Sequence, residues 1–405
     1  MKFIKRFLFT LLFIGLVVFG YAHYKGIPLS SAQELIVSLK SDLGEVVKNI
    51  TESDQVTDNA ETPSEETNVE KVERPEDKPV KQIKIPANPF RTVDRHARSC
   101  PDSLAVSISL LANYLQRGRS TDIEKVRAIF VWLTENVAYD DAGFNSGNYS
   151  GTSAEEVLAN RESVCEGYSN LYLALGQQMG LEIKKISGYA KGYGYQEGDQ
   201  FSRTNHAWNA VKIQGNWRIS DATWGTGSGE NQGGKLVSKK AFDEYWFNVD
   251  PYEAIFNHFP EDQSLGFVTP MITKAAYQQM PYISSDFFKI FSGGRQIYEA
   301  SRNKEITKYP KSFQSDIYLK AVNLSLDGEL QVGKNYTFIF HAPEAKSMAI
   351  IDSDNNWTYF EGVGGEFMLN YSPSSLGEIS IGYQKEGRSQ FDIFLKYEVV
   401  DTSAI

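Results

Sequence analysis

The chain has 405 residues, a net charge of −10, 41% hydrophobic and 13% aromatic residues, and two cysteines. That length accommodates two or three domains with sizeable cores. An acidic balance with no basic face in the sequence argues against a dedicated nucleic-acid binder, and two cysteines, Cys100 and Cys165, argue against a disulfide framework. There is no CxxC or HExxH spacing and no Walker A loop. The five histidines, His23, His96, His206, His258 and His341, are not paired at ligand spacing. Neither a metal nor a cofactor is expected.

Lys2, Lys5 and Arg6 precede an uninterrupted apolar run over residues 7–22, the charge order of a secretory signal or an N-terminal membrane anchor. The run is short against the ~20 residues of a comfortable bilayer span, and Gly20-Tyr21-Ala22 offers a small-x-small cleavage site. Basic residues on the N-terminal side put that end in the cytoplasm and the remainder outside. Residues 1–32 are therefore read as signal or anchor. Residues 33–88, rich in Glu, Asp, Lys, Thr, Asn and Pro, are read as a solvated, mostly disordered stalk.

A globular head is expected over residues 89–305. Leu104, Ile108, Leu111 and Leu115 mark an amphipathic helix that Gly118 ends, and Thr121 with Glu124 forms a capping box for the next, whose apolar face is Val126, Ile129, Phe130, Leu133 and Val137. Ser153 and Glu156 cap a short third helix. Then comes Ser163-Val164-Cys165-Glu166-Gly167-Tyr168, read as a helix start with Ser163 as N-cap and Glu166 closing a capping box. Tyr168, Leu171, Tyr172, Leu175 and Met179 give that helix its apolar face, and Gly180 its stop. A thiol in the first turn of a helix feels the positive end of the dipole and unpaired N–H groups, which favour thiolate; a buried structural cysteine is the plain alternative.

Strands are expected over 183–189, 206–213 and 217–221. Helices followed by a mostly antiparallel sheet indicate an α+β fold. Side chains alternate along a strand, so His206, Trp208 and Ala210 share a face, and in a hairpin Asp221 joins it. Cys165, His206 and Asp221 then have the residue types that a thiol nucleophile, its base and an orienting carboxylate require. Register decides whether they meet. A two-residue Gly215-Asn216 turn pairs Asp221 with Ala210, too far from His206, whereas a four-residue loop over 213–216 pairs it with Trp208, diagonal to His206, so the triad predicts the longer loop or a bulge and fails with that tight turn and no bulge. Tyr189, Trp208 and Trp224 are candidate walls of a substrate cleft, and the five glycines between Gly225 and Gly234 suggest a mobile loop or lid.

Four segments, KVRAIFVWLTENVAYD (125–140), SVCEGYSNLYLALGQQMGL (163–181), NHAWNAVKIQGNW (205–217) and DATWGTG (221–227), resemble the transglutaminase-like superfamily, whose fold is related to papain-like peptidases. YWFNVDPYEAIFNHFPED (245–262) extends the likeness to the kyphoscoliosis-peptidase-type branch, with a departure at Asp262-Gln263-Ser264-Leu265, where that family commonly carries a tryptophan. The resemblance covers about residues 89–291. It implies Cys165 as nucleophile, His206 as base and acid, Asp221 as orienting carboxylate, and acyl transfer on protein or peptide amides through a thioester, with hydrolysis placed ahead of crosslinking.

Residues 306–405 change to short β segments separated by turn clusters, expected over 317–326, 336–341, 348–352, 357–361, 366–371, 378–383 and 391–400; this pattern suggests an all-β, immunoglobulin-like sandwich. The chain is thus expected to be an extracytoplasmic cysteine enzyme, membrane-anchored or secreted. Its expected partners are a protein or peptide substrate, the membrane through its N-terminus, and a cell-wall or surface partner through the C-terminal domain. The alternative from another class is a non-catalytic, surface-anchored binding module on the same fold.

Overall fold

A computed structural model describes residues 85–401. The expected signal or anchor, and the expected stalk up to residue 84, lie outside the described residues. No helix among the described residues is long and apolar enough to cross a membrane.

The head begins with a helix that the sequence pattern did not suggest, α1 (Arg91–Arg98). A 3₁₀ turn, Asp102–Leu104, and α2 (Ile108–Leu115) follow, with Ser107 capping α2 through the Leu110 N–H. The second expected helix is α3 (Asp122–Asn136), whose Thr121/Glu124 capping box is present. α1 docks on α3 through a buried bidentate ion pair: Arg127 Nε and Nη2 donate to Asp94 at 2.7 and 2.9 Å. Charge removed from water needs a complete set of partners. Asn88 adds a bond to Asp94 at 3.1 Å, and the Arg127 guanidinium lies over the rings of Phe90, Phe242 and Phe247.

β1 (Ala138–Tyr139), α4 (Asp141–Ser146) and α5 (Ala154–Asn160) come next; α5 carries the expected Ser153/Glu156 capping box. β2 (Glu162–Ser163) pairs parallel with β1, and α6 (Cys165–Gln178) starts two residues after that pairing. Gly180, at φ +75°, ends it: Leu181 N–H bonds the Gly176 carbonyl and Gly180 N–H that of Gln177, both orphan carbonyls of the last turn.

β3 (Ile183–Ala190), β4 (His206–Ile213), β5 (Asn216–Ser220) and β8 (His258–Pro260) form one antiparallel sheet in the order β5-β4-β3-β8. Gly188 on β3 pairs with both His206 and Pro260, and a Cβ there would come within 2.3 Å of the Phe259 carbonyl oxygen. Only glycine lets the flanking strands β4 and β8 approach so closely. The glycine-rich stretch after Asp221 is not an open loop: α7 (Ala222–Thr226) leads into a hairpin, β6 (Gly227–Gln232) with β7 (Lys235–Lys240). Gly233 and Gly234 turn it with φ +62° and +83°, as a two-residue turn requires. Asn145 of α4 pins it by exchanging two 2.8 Å bonds with the Leu236 backbone. Asp262 caps the 3₁₀ turn Gln263–Gly266, so the departure from the family tryptophan is filled by a capped turn whose Leu265 packs on the first core.

Helices α8 (Pro251–Ala254), α9 (Lys274–Gln279), α10 (Ser285–Ile290) and α11 (Gly294–Arg302) close the α+β part. Beyond it the chain is antiparallel sheet apart from one parallel pair. β10 (Lys320–Asn323), β12 (Tyr336–His341), β16 (Glu366–Tyr371) and β15 (Glu361–Val363) make one sheet in that order. β11 (Glu329–Gln331), β18 (Phe391–Val400), β17 (Gly377–Lys385), β13 (Ala345–Ile351) and β14 (Trp357–Tyr359) make the other, with β9 (Lys311–Ser312) beside β18 and β11 parallel to β18. Phe338 and Phe340 from one sheet and Ile379, Ile381 and Tyr397 from the other are buried, the inward halves of alternating strands in a β sandwich.

Two cores result. The first joins α1–α3 and α5–α6 to the β3–β4–β5 region. The second runs from Tyr189, Phe256 and Phe259 through Phe287 and Tyr309 into Phe338 and Tyr397, so the helical part and the sandwich share buried apolar surface. Asp94→Ala leaves the Arg127 guanidinium, 0% exposed, with only the more distant Glu244 carboxylate at 3.4 Å; a loss of about 3 kcal/mol in urea unfolding is expected.

Candidate active site

α6 presents Cys165 at its first position, but not by the expected cap. The N-cap is Val164, which contributes no side-chain acceptor, and the Ser163 hydroxyl is buried with no hydrogen-bond partner. Strand pairing fixes the start instead: Tyr139 pairs with Ser163, and Asp140 N–H reaches the Ser163 carbonyl at 3.1 Å. Gly167 makes the tight first turn feasible, because a Cβ there would overlap Ser163 Oγ at 2.1 Å and Val157 at 2.7 Å. Glu166 turns to Lys185, which also bonds Asn170 at 3.0 Å. Its charge is thereby matched by an ammonium rather than set against the thiol. The Cys165 N–H opens the helix, where the first donors lack i−4 carbonyls; of these the Gly167 N–H is met by the Val164 carbonyl at 3.0 Å.

The β4–β5 hairpin has the register that brings His206 and Asp221 together, reached through a different turn. Ile213 pairs with Asn216 and Asn209 with Ser220, so Asp221 continues opposite Trp208. The connection is the two-residue Gln214-Gly215, both at positive φ (+50° and +82°), not a four-residue loop over 213–216. The tight turn sits one residue earlier than Gly215-Asn216, and the odd shift carries the needed alignment. Asp221 also caps α7, its Oδ1 accepting the Trp224 N–H at 3.0 Å.

His206 Nε2 lies 2.6 Å from Asp221 Oδ2. Cys165 acts on the same ring and, like Asp221, raises its pKa. With Nε2 engaged by Asp221, the nitrogen left for the thiol is Nδ1. Burial works against a charged imidazole, but the Asp221 carboxylate and the contact with Cys165 outweigh it and push His206 up to about 10. Burial likewise opposes the Asp221 charge, and His206 together with a second imidazole holds the carboxyl well below its usual range. The second imidazole is His258, whose Nε2 is 2.9 Å from the same Oδ2. Its ring is held below the usual histidine range by burial, against the pull of Asp221.

His258 is the residue that sequence reasoning missed. It arrives from β8, paired opposite Ala190, and no local pattern marks a three-residue strand. The HFP run in the family-like segment was its one signal. Tyr139 is the other: its hydroxyl is pushed up by burial and by the charge of Cys165, and it makes no hydrogen bond among the described residues.

The three candidate cleft walls separate. Trp208 is 2% exposed and packs beside His206 and against His258, with ring centroids 5.9 and 4.9 Å away. Tyr189 is 8% exposed and belongs to the second core. Both are packing residues, because their strand positions point them inward. Trp224 is half-buried and lies 5.3 Å from His206 and 4.4 Å from His258, so it alone of the three keeps an open surface beside the imidazole. Donor atoms of His206, Asp221 and His258 converge within 4.8 Å, the spacing a metal would need. The 2.6 and 2.9 Å separations are hydrogen-bond lengths between those very atoms, so the set is closed by its own N–H···O bonds.

Residues 110–222 match the family described as the transglutaminase-like superfamily. The chain is similar to kyphoscoliosis peptidase of Homo sapiens, 29% identical over 212 residues, covering 52% of this chain and 31% of that protein. The Mus musculus kyphoscoliosis peptidase is 30% identical, with 44% and 27% covered. Hillarin of Drosophila melanogaster is 30% identical, with 49% and 25% covered. The chain thus spans less than a third of the length of these relatives.

Cys100 is the internal control for the thiol. Burial raises its pKa, and Arg161 offsets this only in part. Brief iodoacetamide treatment at pH 7 followed by peptide mass mapping is expected to label Cys165 at least about tenfold faster than Cys100, and His206→Ala to erase that preference. In an NMR titration His206 is expected to remain protonated until about pH 10. Its contribution to stability is complete below the unfolded value of about 6.5 and is lost as pH rises through about 10. That of Asp221, whose pKa is depressed, is complete above about 3.9 and is lost as pH falls.

Proposed function

We propose that the transglutaminase-like domain of this chain is a cysteine acyl-transfer enzyme acting on protein or peptide amides, with Cys165, His206 and Asp221 as its catalytic triad. The observation that carries the reading is the 2.6 Å His206–Asp221 contact on an imidazole whose pKa Cys165 also raises. A thiol at a helix start, an imidazole and a buried carboxylate in this order form a nucleophile, its base and the orienter of that base.

The reacting form in this reading is a thiolate–imidazolium pair, with Asp221 stabilising the imidazolium. The thiolate attacks the amide carbonyl, and the oxyanion forms against the Cys165 N–H. The second donor is assigned to the Tyr139 hydroxyl, which makes no hydrogen bond among the described residues and whose pKa the Cys165 charge raises. The intermediate collapses to a thioester as His206 gives its proton to the departing amine. Neutral His206 then takes a proton from water, which hydrolyses the thioester, or from a lysine amine, which forms a crosslink. We place hydrolysis slightly ahead of crosslinking.

The same proposal sets the head outside the cytoplasm, membrane-anchored or secreted, on the strength of Lys2, Lys5 and Arg6 ahead of the apolar run 7–22. The C-terminal sandwich is read as immunoglobulin-like. Its sheets, β10-β12-β16-β15 and β11-β18-β17-β13-β14, follow the A-B-E-D and A′-G-F-C-C′ orders of that fold. A cell-wall or surface partner for this domain belongs to the same proposal.

The test supplies glutamine-containing peptides with and without an amine donor, following released ammonia, cleaved peptide and conjugate by mass spectrometry. Cys165→Ala is expected to lower turnover by at least about 10³-fold, and Tyr139→Phe to lower kcat by about 10²-fold with little change in KM. A chain with folded Cys165 but no turnover on any amide, and alkylation at the rate of an ordinary thiol, would return the reading to a non-catalytic binding module.

A further inference from the structure

The Cys165–His206–Asp221 reading leaves unused a buried group in direct contact with the triad, the His258 imidazole. Resting on that reading, we propose that His258 is a positioning residue: it holds Asp221 ionised and aimed at His206, so that β8, outside the stretch from Cys165 to Asp221, sets the protonation state of the site.

The geometry fixes what His258 can be. Its Nε2 is 2.9 Å from Asp221 Oδ2, while its Nδ1 is buried with no partner. A protonated ring would bury a second N–H with no acceptor, 5.4 Å from the ring of His206. A neutral ring with its proton on Nε2 leaves nothing unsatisfied but a lone pair in an apolar cage. That is the one neutral tautomer that donates to Asp221. Trp208, Trp224 and Trp246 surround the ring at centroid distances of 4.9, 4.4 and 5.0 Å and fix its orientation.

The consequence falls on the His206–Asp221 pair. Oδ1 takes the Trp224 N–H and Oδ2 takes both imidazoles. In a buried pair the proton can sit on the imidazole, giving two charges, or move to the carboxylate, giving none. A second, uncharged donor on Oδ2 stabilises the carboxylate more than the neutral acid. His258 thus keeps the proton on His206, where the thiolate needs it. The titratable groups acting on this cluster are His206 from β4, Asp221 from the β5–α7 junction, and Cys165 and Tyr168 from α6. The Tyr168 hydroxyl is occupied by the Val137 carbonyl at 2.7 Å. The tryptophans packed from β4, α7 and the 3₁₀ turn Glu244–Trp246 carry no charge.

The experiment compares His258→Phe, which keeps a flat ring without the donor, and His258→Gln, which keeps an N–H, in the full chain. Three readouts are followed: thermal melting, Cys165 alkylation by iodoacetamide at pH 6 relative to pH 10, and kcat and KM against pH. In the phenylalanine variant the pH 6 to pH 10 alkylation ratio is expected to fall about tenfold or more, and kcat about 10- to 100-fold. KM should stay within about twofold, and the high-pH limb of kcat should move down by about one unit. The glutamine variant is expected to recover most of the ratio and of the limb. A phenylalanine variant that melts like the wild type and keeps both would overturn the proposal, as would a folded glutamine variant with the ratio and limb predicted for phenylalanine. If the phenylalanine variant does not fold, the glutamine variant decides by the same two readouts. Alkylation needs no substrate. A wild-type chain that shows the ratio but no turnover therefore counts against the acyl-transfer reading and leaves the His258 assignment standing.

Discussion

One carboxylate oxygen, Asp221 Oδ2, is the point on which the site depends. A charge 1% exposed is tolerable only if every lone pair facing the interior is met. Three chain segments meet the lone pairs of this carboxylate, with β4 supplying His206, α7 the Trp224 N–H and β8 His258. Much of the surrounding architecture follows. The hairpin must take the register that sets Asp221 opposite Trp208. β3 must carry glycine at 188, where the strands bearing the two histidines converge. The tryptophans around His258 exclude water that would otherwise compete for the same oxygen.

The start of α6 obeys a complementary logic. A helix normally gains by having a side chain accept its first N–H groups. Here Val164 stands at the cap, and the nearby Ser163 hydroxyl is turned into a buried corner against Gly167. The Gly167 N–H is met by the Val164 carbonyl at 3.0 Å instead, and the Cys165 N–H stays available to an acyl oxygen on its own sulfur. The acidic residue of the first turn, Glu166, is drawn off to Lys185, which leaves the dipole end uncompensated where the sulfur sits. Under the acyl-transfer reading, a less stable helix end is the condition for a more useful one.

What the sequence made legible divides along the range of the interactions involved. Capping boxes at Thr121 and Ser153, the stop at Gly180, and β12, β16 and β18 to the residue depend on neighbours a few positions apart, and local pattern suffices for them. Ser163 failed as a cap because a pairing with Tyr139, 24 residues away in the chain, claimed its backbone first. The hairpin turn shifted by one because positive φ is available to glycine at 215 and tolerated at Gln214, which residue type alone does not reveal. Trp208 and Tyr189 had the chemistry of cleft walls, but the pleat turned them inward. His258 was out of reach altogether: it lies 37 residues beyond Asp221, on a strand recognisable only through its pairing with β3.

That strand is also the seam between the two cores. His258 points into the tryptophan cage of the first, while Phe256 and Phe259 on either side of it belong to the second, which continues through Phe287 and Tyr309 into the sandwich. Lys191 N–H and the Tyr277 hydroxyl both hold the Asn257 carbonyl, so the backbone just before His258 is anchored from two directions. The position of the second imidazole therefore depends on packing that reaches into the C-terminal sheets. Loosening the sandwich would be felt first as slack in β8 and then as a weaker second bond to Asp221. Under this reading the β domain, whatever it contacts outside, also helps hold the charge on the acid that orients His206.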